Sequence, residues 1–82
     1  MSNSIQLSIH ANQDAQFSLV LNHGRRLCEA VAATTGKLTE VSLFTKMPGH
    51  LLCSTIVCDP ANGHKTTEDH HSLPEINISQ GG

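Results

Sequence analysis

The sequence predicts an α+β domain in which one helix packs across a mixed sheet, in the order β-β-α-β-β-β. Three observations predict it. Apolar residues alternate twice near the start, at Ile5, Leu7 and Ile9 and again at Phe17, Leu19 and Leu21, which is the period of half-buried strands. The period then changes. Leu27, Ala30, Val31 and Thr34 fall at i, i+3, i+4 and i+7, the spacing of one helix face. Between Val41 and Cys58 the chain returns to strand-forming residues.

The first two runs are joined by Ala11-Asn12-Gln13-Asp14-Ala15, a polar connector with the turn formers Asn and Asp. So short a connector predicts an antiparallel hairpin. Asn22-His23-Gly24 ends the second strand, with Asn22 the better N-cap for a helix over Arg25–Thr35. Gly36 stands where a left-handed residue would stop that helix, and Lys37 follows at the negative end of its dipole. A helix of about three turns needs a sheet to hold it. Leu27, Val31 and Thr34 are therefore expected against Leu7, Leu19, Leu21 and Leu43.

Val41, Leu43 and Phe44 begin a third strand, Lys46-Met47-Pro48-Gly49-His50 reads as a turn on its Pro-Gly, and Leu51–Cys58 forms a fourth. Residues 59–74 are polar and carry Asp59-Pro60 and Asn62-Gly63, which reads as a long surface loop. Ile76 and Ile78 suggest a short last strand. Residues 1–78 then make one domain, and 79–82 a tail.

Composition narrows the functions. The 82 residues leave room for one small domain, and there is no Trp or Tyr and only two Phe. The core must be built from Ile, Leu and Val. Five Lys+Arg against seven Asp+Glu give a net charge of -2, which disfavours nucleic-acid binding by phosphate neutralisation. The scarcity of aromatics disfavours base stacking. No apolar run approaches the ~20 residues of a membrane span, and the first residues show no signal-peptide pattern. Three Cys without framework spacing read as free thiols, and the expected location is the cytoplasm.

The side chains that could carry chemistry are few. His64, His70 and His71, with Glu68 and Asp69, invite a metal reading, but a solvated loop explains them better. Adjacent histidines do not easily face one ion, so no metal site is expected. Cys53 and Cys58 fall on opposite faces of a strand, which argues against a redox pair. Cys28 reads as a structural thiol. No Ser-His-Asp order, phosphate loop or catalytic carboxylate pair stands out, so the chain is not expected to be an enzyme. Phe44, Leu51 and Leu52 are the candidates for a partly exposed, partner-binding apolar patch. Leu43 beside them reads rather as core.

The remaining feature is Gly81-Gly82. A glycine carboxylate is unhindered, and a Gly-Gly tail can thread a narrow channel. Adenylation makes such a carboxylate open to attack by a thiolate or sulfide. The hairpin, the helix across it, the further strands and this ending resemble the ubiquitin-like β-grasp family. The final strand and the arm after it are shorter than that family's pattern, and no residue-level match to ubiquitin itself is present.

The resemblance implies a small modifier in a bacterial conjugation pathway. Gly82 would be adenylated by a ubiquitin-activating-type enzyme using ATP and passed through a thioester to a target protein, with a conjugating enzyme as a further partner. No cofactor would be bound to the chain itself. A sulfur carrier ending in a Gly82 thiocarboxylate for cofactor biosynthesis is the first alternative. A small binding or inhibitor protein, with Gly81 and Gly82 irrelevant, is the second.

Overall fold

The structure, a computed structural model, describes residues 2–63 and 65–74. Strand β1 (Asn3–His10) leads into helix α1 (Asp14–Thr35), and β2 (Thr39–Met47), β3 (His50–Asp59) and β4 (Lys65–Pro74) follow. The sheet order is β1-β2-β3-β4. β1 pairs parallel with β2 across the helical crossover. β2, β3 and β4 form an antiparallel meander. The α+β class and the single helix packed on a mixed sheet agree with the sequence reading, but the element order among the described residues is β-α-β-β-β.

The expected opening hairpin is therefore corrected. Phe17–Leu21 belongs to α1, which starts eleven residues before Arg25. The alternation at Phe17, Leu19 and Leu21 coexists with a second period, because Phe17, Leu21, Gly24 and Cys28 also follow helical spacing. The helix period wins because those four turn towards the sheet, whereas Leu19 is left 59% exposed. The N-cap is Gln13, not Asn22, and its side chain makes no capping bond. One turn in, the Gln16 side chain accepts instead from the Asn12 backbone N–H at 2.6 Å.

Gly24 is not a breaker. It is buried in the middle of α1, and a Cβ there would lie 2.8 Å from Leu43 Cδ1 and 3.2 Å from Ile56 Cδ1. Gly24, Cys28 and Ala32 are the buried residues of the helix. These small side chains, one turn apart, let α1 settle onto the two central strands, β2 and β3. Leu27 is 36% exposed, and Ala30 and Thr34 are also exposed, so the expected packing face is rotated. The helix ends as the sequence predicts. Gly36 has φ +70°, and its N–H donates to Ala32 O at 2.8 Å.

The core is Cys28, Ala32, Val41, Leu43, Ile56 and Cys58, with Ile5, Leu7, Ile9, Val20 and Leu21 partly buried around it. Each fully buried Val, Leu or Ile contributes about 1.5–3 kcal/mol. Thr39, Thr45 and Ser54 are buried among them. The loop expected at residues 59–74 is also corrected. Pro60–Asn62 makes a single 3-10 turn capped by the Asp59 side chain, and the chain then runs as β4. The strand expected at Ile76 and Ile78 lies outside the described residues, as do Gly81 and Gly82.

Candidate partner-binding face

Among the described residues, the helix covers one face of the sheet and no element covers the other. The register shows which residues stand on the bare face. Phe44 pairs with Ser8 and Cys53, and Cys53 with His71. One row on, His10, Lys46, Leu51 and Leu73 stand in line. On the other side of the Phe44 row come Gln6, Ser42, Thr55 and Asp69, then Ser4, Glu40, Val57 and Thr67. Phe44, Leu51, Cys53 and Val57 are half-buried, and Leu73 is 46% exposed. A shallow hollow opens beside Phe44 and Leu51, bordered by Ser8, His10 and Lys46.

Of the three sequence candidates, the structure brings Phe44 and Leu51 together on this face. It separates Leu52, which pairs with Thr45 and stands on the helix side. Leu43 is core at 1% exposure, as expected. Sequence reasoning missed Cys53, Val57 and Leu73. Cys53 and Val57 were legible as the odd-numbered face of β3. Leu73 required knowing that β4 is a strand.

On the covered face, β4 meets the helix through polar groups. Glu68 accepts from Arg25, and Thr66 donates to Glu29 at 2.9 Å. His70 Nε2 lies 3.3 Å from Glu68 Oε1, and its Nδ1 lies 3.1 Å from Ser54 Oγ. A carboxylate only accepts, so Nε2 carries the proton in the neutral ring and Ser54 donates to Nδ1. Phe17 meets the His70 ring edge-on at 6.3 Å. The hydrogen bond from Arg25 outweighs desolvation and, with the charges of Arg25 and His70, holds the Glu68 carboxyl below the usual carboxylate range; the same bond and the Glu68 charge raise the guanidinium.

The Ser54-His70-Glu68 order resembles a nucleophilic relay. Ser54 is only 1% exposed, however, so its hydroxyl cannot meet a substrate where it stands. The chain of contacts fastens β4 to the helix and β3.

The thiols divide in the same way. Cys28 donates to Thr39 O at 3.2 Å, and burial pushes its thiol up, away from the reactive thiolate. Cys58 is also buried, Cys53 stands on the bare face, and none of the three forms a disulfide among the described residues. Among the described residues no group of three or more His, Cys, Asp or Glu could hold a metal ion. His70 and His71 stand on opposite faces of β4, and His64 is outside the described residues. No helix among the described residues is long and apolar enough to cross a membrane. Comparison of the chain with protein-family models, curated proteins and solved structures finds no match.

Proposed function

We propose that this protein is a small, non-catalytic binding module that engages a protein partner through the bare face of its sheet. The observation that carries the reading is the clustering of Phe44, Leu51, Cys53 and Leu73 in two adjacent rows on the face that α1 leaves uncovered. Apolar side chains gathered at one place and rimmed by polar ones are the usual make-up of an interface centre. The polar network of Ser54, His70, Glu68 and Arg25 serves the fold in this reading, and the setting is cytoplasmic. The test is affinity capture with three baits: wild type, Leu51→Arg on the bare face, and Leu27→Arg on the exposed side of α1. Partners retained by Leu27→Arg and lost by Leu51→Arg support the reading. Identical captured sets from all three contradict it.

The modifier and sulfur-carrier readings stand beside it as separate proposals on Gly81 and Gly82. A helix lying on a mixed sheet supports a β-grasp-like arrangement, and the helical crossover in place of an opening hairpin counts against it. Incubation with ATP and an adenylating enzyme decides between the readings. A Gly82 adenylate, thioester or thiocarboxylate, lost on deleting Gly81-Gly82, supports the tail. Full binding activity of the deleted chain supports the sheet face.

A further inference from the structure

We infer that β1 is a pairing edge, at which two copies of this chain join β1 to β1 in antiparallel register, about a twofold axis at Leu7, into one continuous sheet. The inference does not use the face opposite the helix. Two observations carry it: the row of backbone groups that β1 turns outward, and the open apolar flank above that row.

β1 and β4 are the edges of the sheet. β4 is defended in the usual way, with Lys65, Glu68 and Asp69 along it and Pro74 at its end. β1 has none of these devices. It reads Asn3-Ser4-Ile5-Gln6-Leu7-Ser8-Ile9-His10, without Lys, Arg, Asp, Glu or Pro. Its register with β2 runs unbroken, without a bulge. The phase of its hydrogen bonds is fixed at both ends. Asn3 N–H donates to Leu38 O at 2.8 Å, and Ala11 N–H donates to Lys46 O at 3.0 Å. Backbone groups of successive residues point to opposite sides of a strand, so the odd-numbered residues bond β2. Ser4, Gln6, Ser8 and His10 turn their N–H and C=O outward, and no strand among the described residues pairs with them. Such a row is a template for another strand.

The side chains select a second copy. An axis through Leu7, normal to the sheet, sets Ile5 against the second copy's Ile9 and Leu7 against its Leu7, all on the helix side. On the other side it sets Ser4 against His10 and Gln6 against Ser8. The outward residues then oppose one another, as the hydrogen-bonded pairs of an antiparallel ladder must. Four such pairs at two bonds each give about eight bonds. Moving the axis by one residue sets Ile9 against Asn3 or Ile5 against Ala11, and shortens the ladder. A self-complementary edge is what a twofold contact requires.

The helix adds the second observation. Thr35 Oγ1 accepts from Asn3 Nδ2 at 2.9 Å, so this flank of α1 overlooks β1. Val31 and Leu27 precede Thr35 at steps of four and share its flank, whereas Arg25 and Glu29 reach β4 on the other. Leu27 is 36% exposed, and Val31, Ile5, Leu7 and Ile9 are only partly buried. A strand added at β1 extends the sheet beneath this flank and covers the three apolar residues of β1 from the side. The ladder is short for a specific interface, so the dimer forms between about 10 μM and about 1 mM.

The full chain is followed by sedimentation velocity across that range, with amide hydrogen exchange at both ends of it and circular dichroism on every variant. The expected result is a dimer at high concentration, with exchange slowed there at Ser4, Gln6, Ser8 and His10. Gln6→Pro removes an outward N–H and none that bonds β2, so the monomer should stay folded and dimerisation should weaken about tenfold or more. Gln6→Lys with Ser8→Lys sets like charges in both central pairs and should weaken it as well. Gln6→Lys with Ser8→Glu sets opposite charges there and should restore it. Leu51→Arg, on the face opposite the helix, should leave it unchanged.

A chain that stays monomeric at the top of the range overturns the inference. So does slow exchange of the four outward amides at every concentration, because the edge is then covered within one chain. A monomer in which those amides slow only when a different protein is added also overturns it. A dimer that survives the two lysines, is not restored by the Lys-Glu pair, or is abolished by Leu51→Arg does so too. If Gln6→Pro unfolds the chain, the two charge combinations decide alone. Failure here leaves the binding-face reading standing, since partner capture by Leu51→Arg tests that reading separately.

Discussion

Gly24→Ala separates two opposing effects at one position. In a solvent-facing helix interior the substitution stabilises by about 1 kcal/mol, because glycine loses more backbone freedom on folding. Here the new Cβ would stand 2.8 Å from Leu43 Cδ1 and 3.2 Å from Ile56 Cδ1. Carbon atoms prefer about 3.5–4.0 Å, so the helix must lift or two core side chains must turn. Leu43 and Ile56 are 1% and 0% exposed and have little room to turn. Overpacking of this kind costs about 1–3 kcal/mol.

The net expectation for Gly24→Ala is a loss of up to ~2 kcal/mol, from a total of about 4–12 kcal/mol for a chain of this length. The decisive comparison is the same substitution in a Leu43→Val background, which removes the closest methyl. There Gly24→Ala should become neutral or stabilising, with a coupling of about 1 kcal/mol or more. Urea unfolding followed by circular dichroism, at constant m-value, gives all four stabilities. Gly24→Ala stabilising the native background by about 1 kcal/mol, with no coupling to Leu43, would refute the close approach of α1 to β2.

Three further outcomes are expected. The Thr45 hydroxyl is buried without a hydrogen-bond partner among the described residues, so Thr45→Val should stabilise by about 1 kcal/mol and raise Tm by roughly 4–8 °C in a thermal melt. The folded-state pKa of Glu68 lies below its unfolded value, so between the two values the folded chain holds fewer protons. Its contribution is complete above the ordinary carboxylate pKa and is lost as pH falls through the folded value; urea midpoints taken down to acid pH should fall less steeply in Glu68→Gln. Cys53 should react with a thiol reagent far faster than buried Cys28, whose thiol burial pushes up, and Cys53→Ser should remove the fast phase from a stopped-flow trace.

The parts of the fold legible in the sequence are those where one face is apolar and the other polar. β1 declared itself through Ile5, Leu7 and Ile9, and β2 through Val41 and Leu43. Pro48-Gly49 is the two-residue turn between Met47 and His50, which pair directly. Two elements were hidden for different reasons. The first half of α1 was masked by a coincidence of period at Phe17, Leu19 and Leu21, and by a glycine that serves packing rather than a turn. The signal that could have found it is the small-residue series Gly24, Cys28 and Ala32, one turn apart.

β4 was hidden because it has no apolar face to alternate. Its helix side carries Thr66, Glu68, His70 and Ser72, held by Arg25, Glu29 and Ser54 across the sequence. Such long-range polar fastening leaves no local pattern. The candidate site was half legible for the same reason. Phe44 and Leu51 could be named from their apolar character, but Leu52 could be assigned to the other side only from the register.

The central claim is that the bare sheet face, and not the exposed side of α1, is where another protein surface docks. Methyl NMR spectra of the chain, recorded alone and with a captured partner protein added, test it most directly. The methyl signals of Leu51 and Leu73 should move together as partner is added while those of Leu19 and Leu27 stay fixed. Movement of Leu19 and Leu27 with Leu51 and Leu73 unmoved, or no movement at any of them, would contradict it.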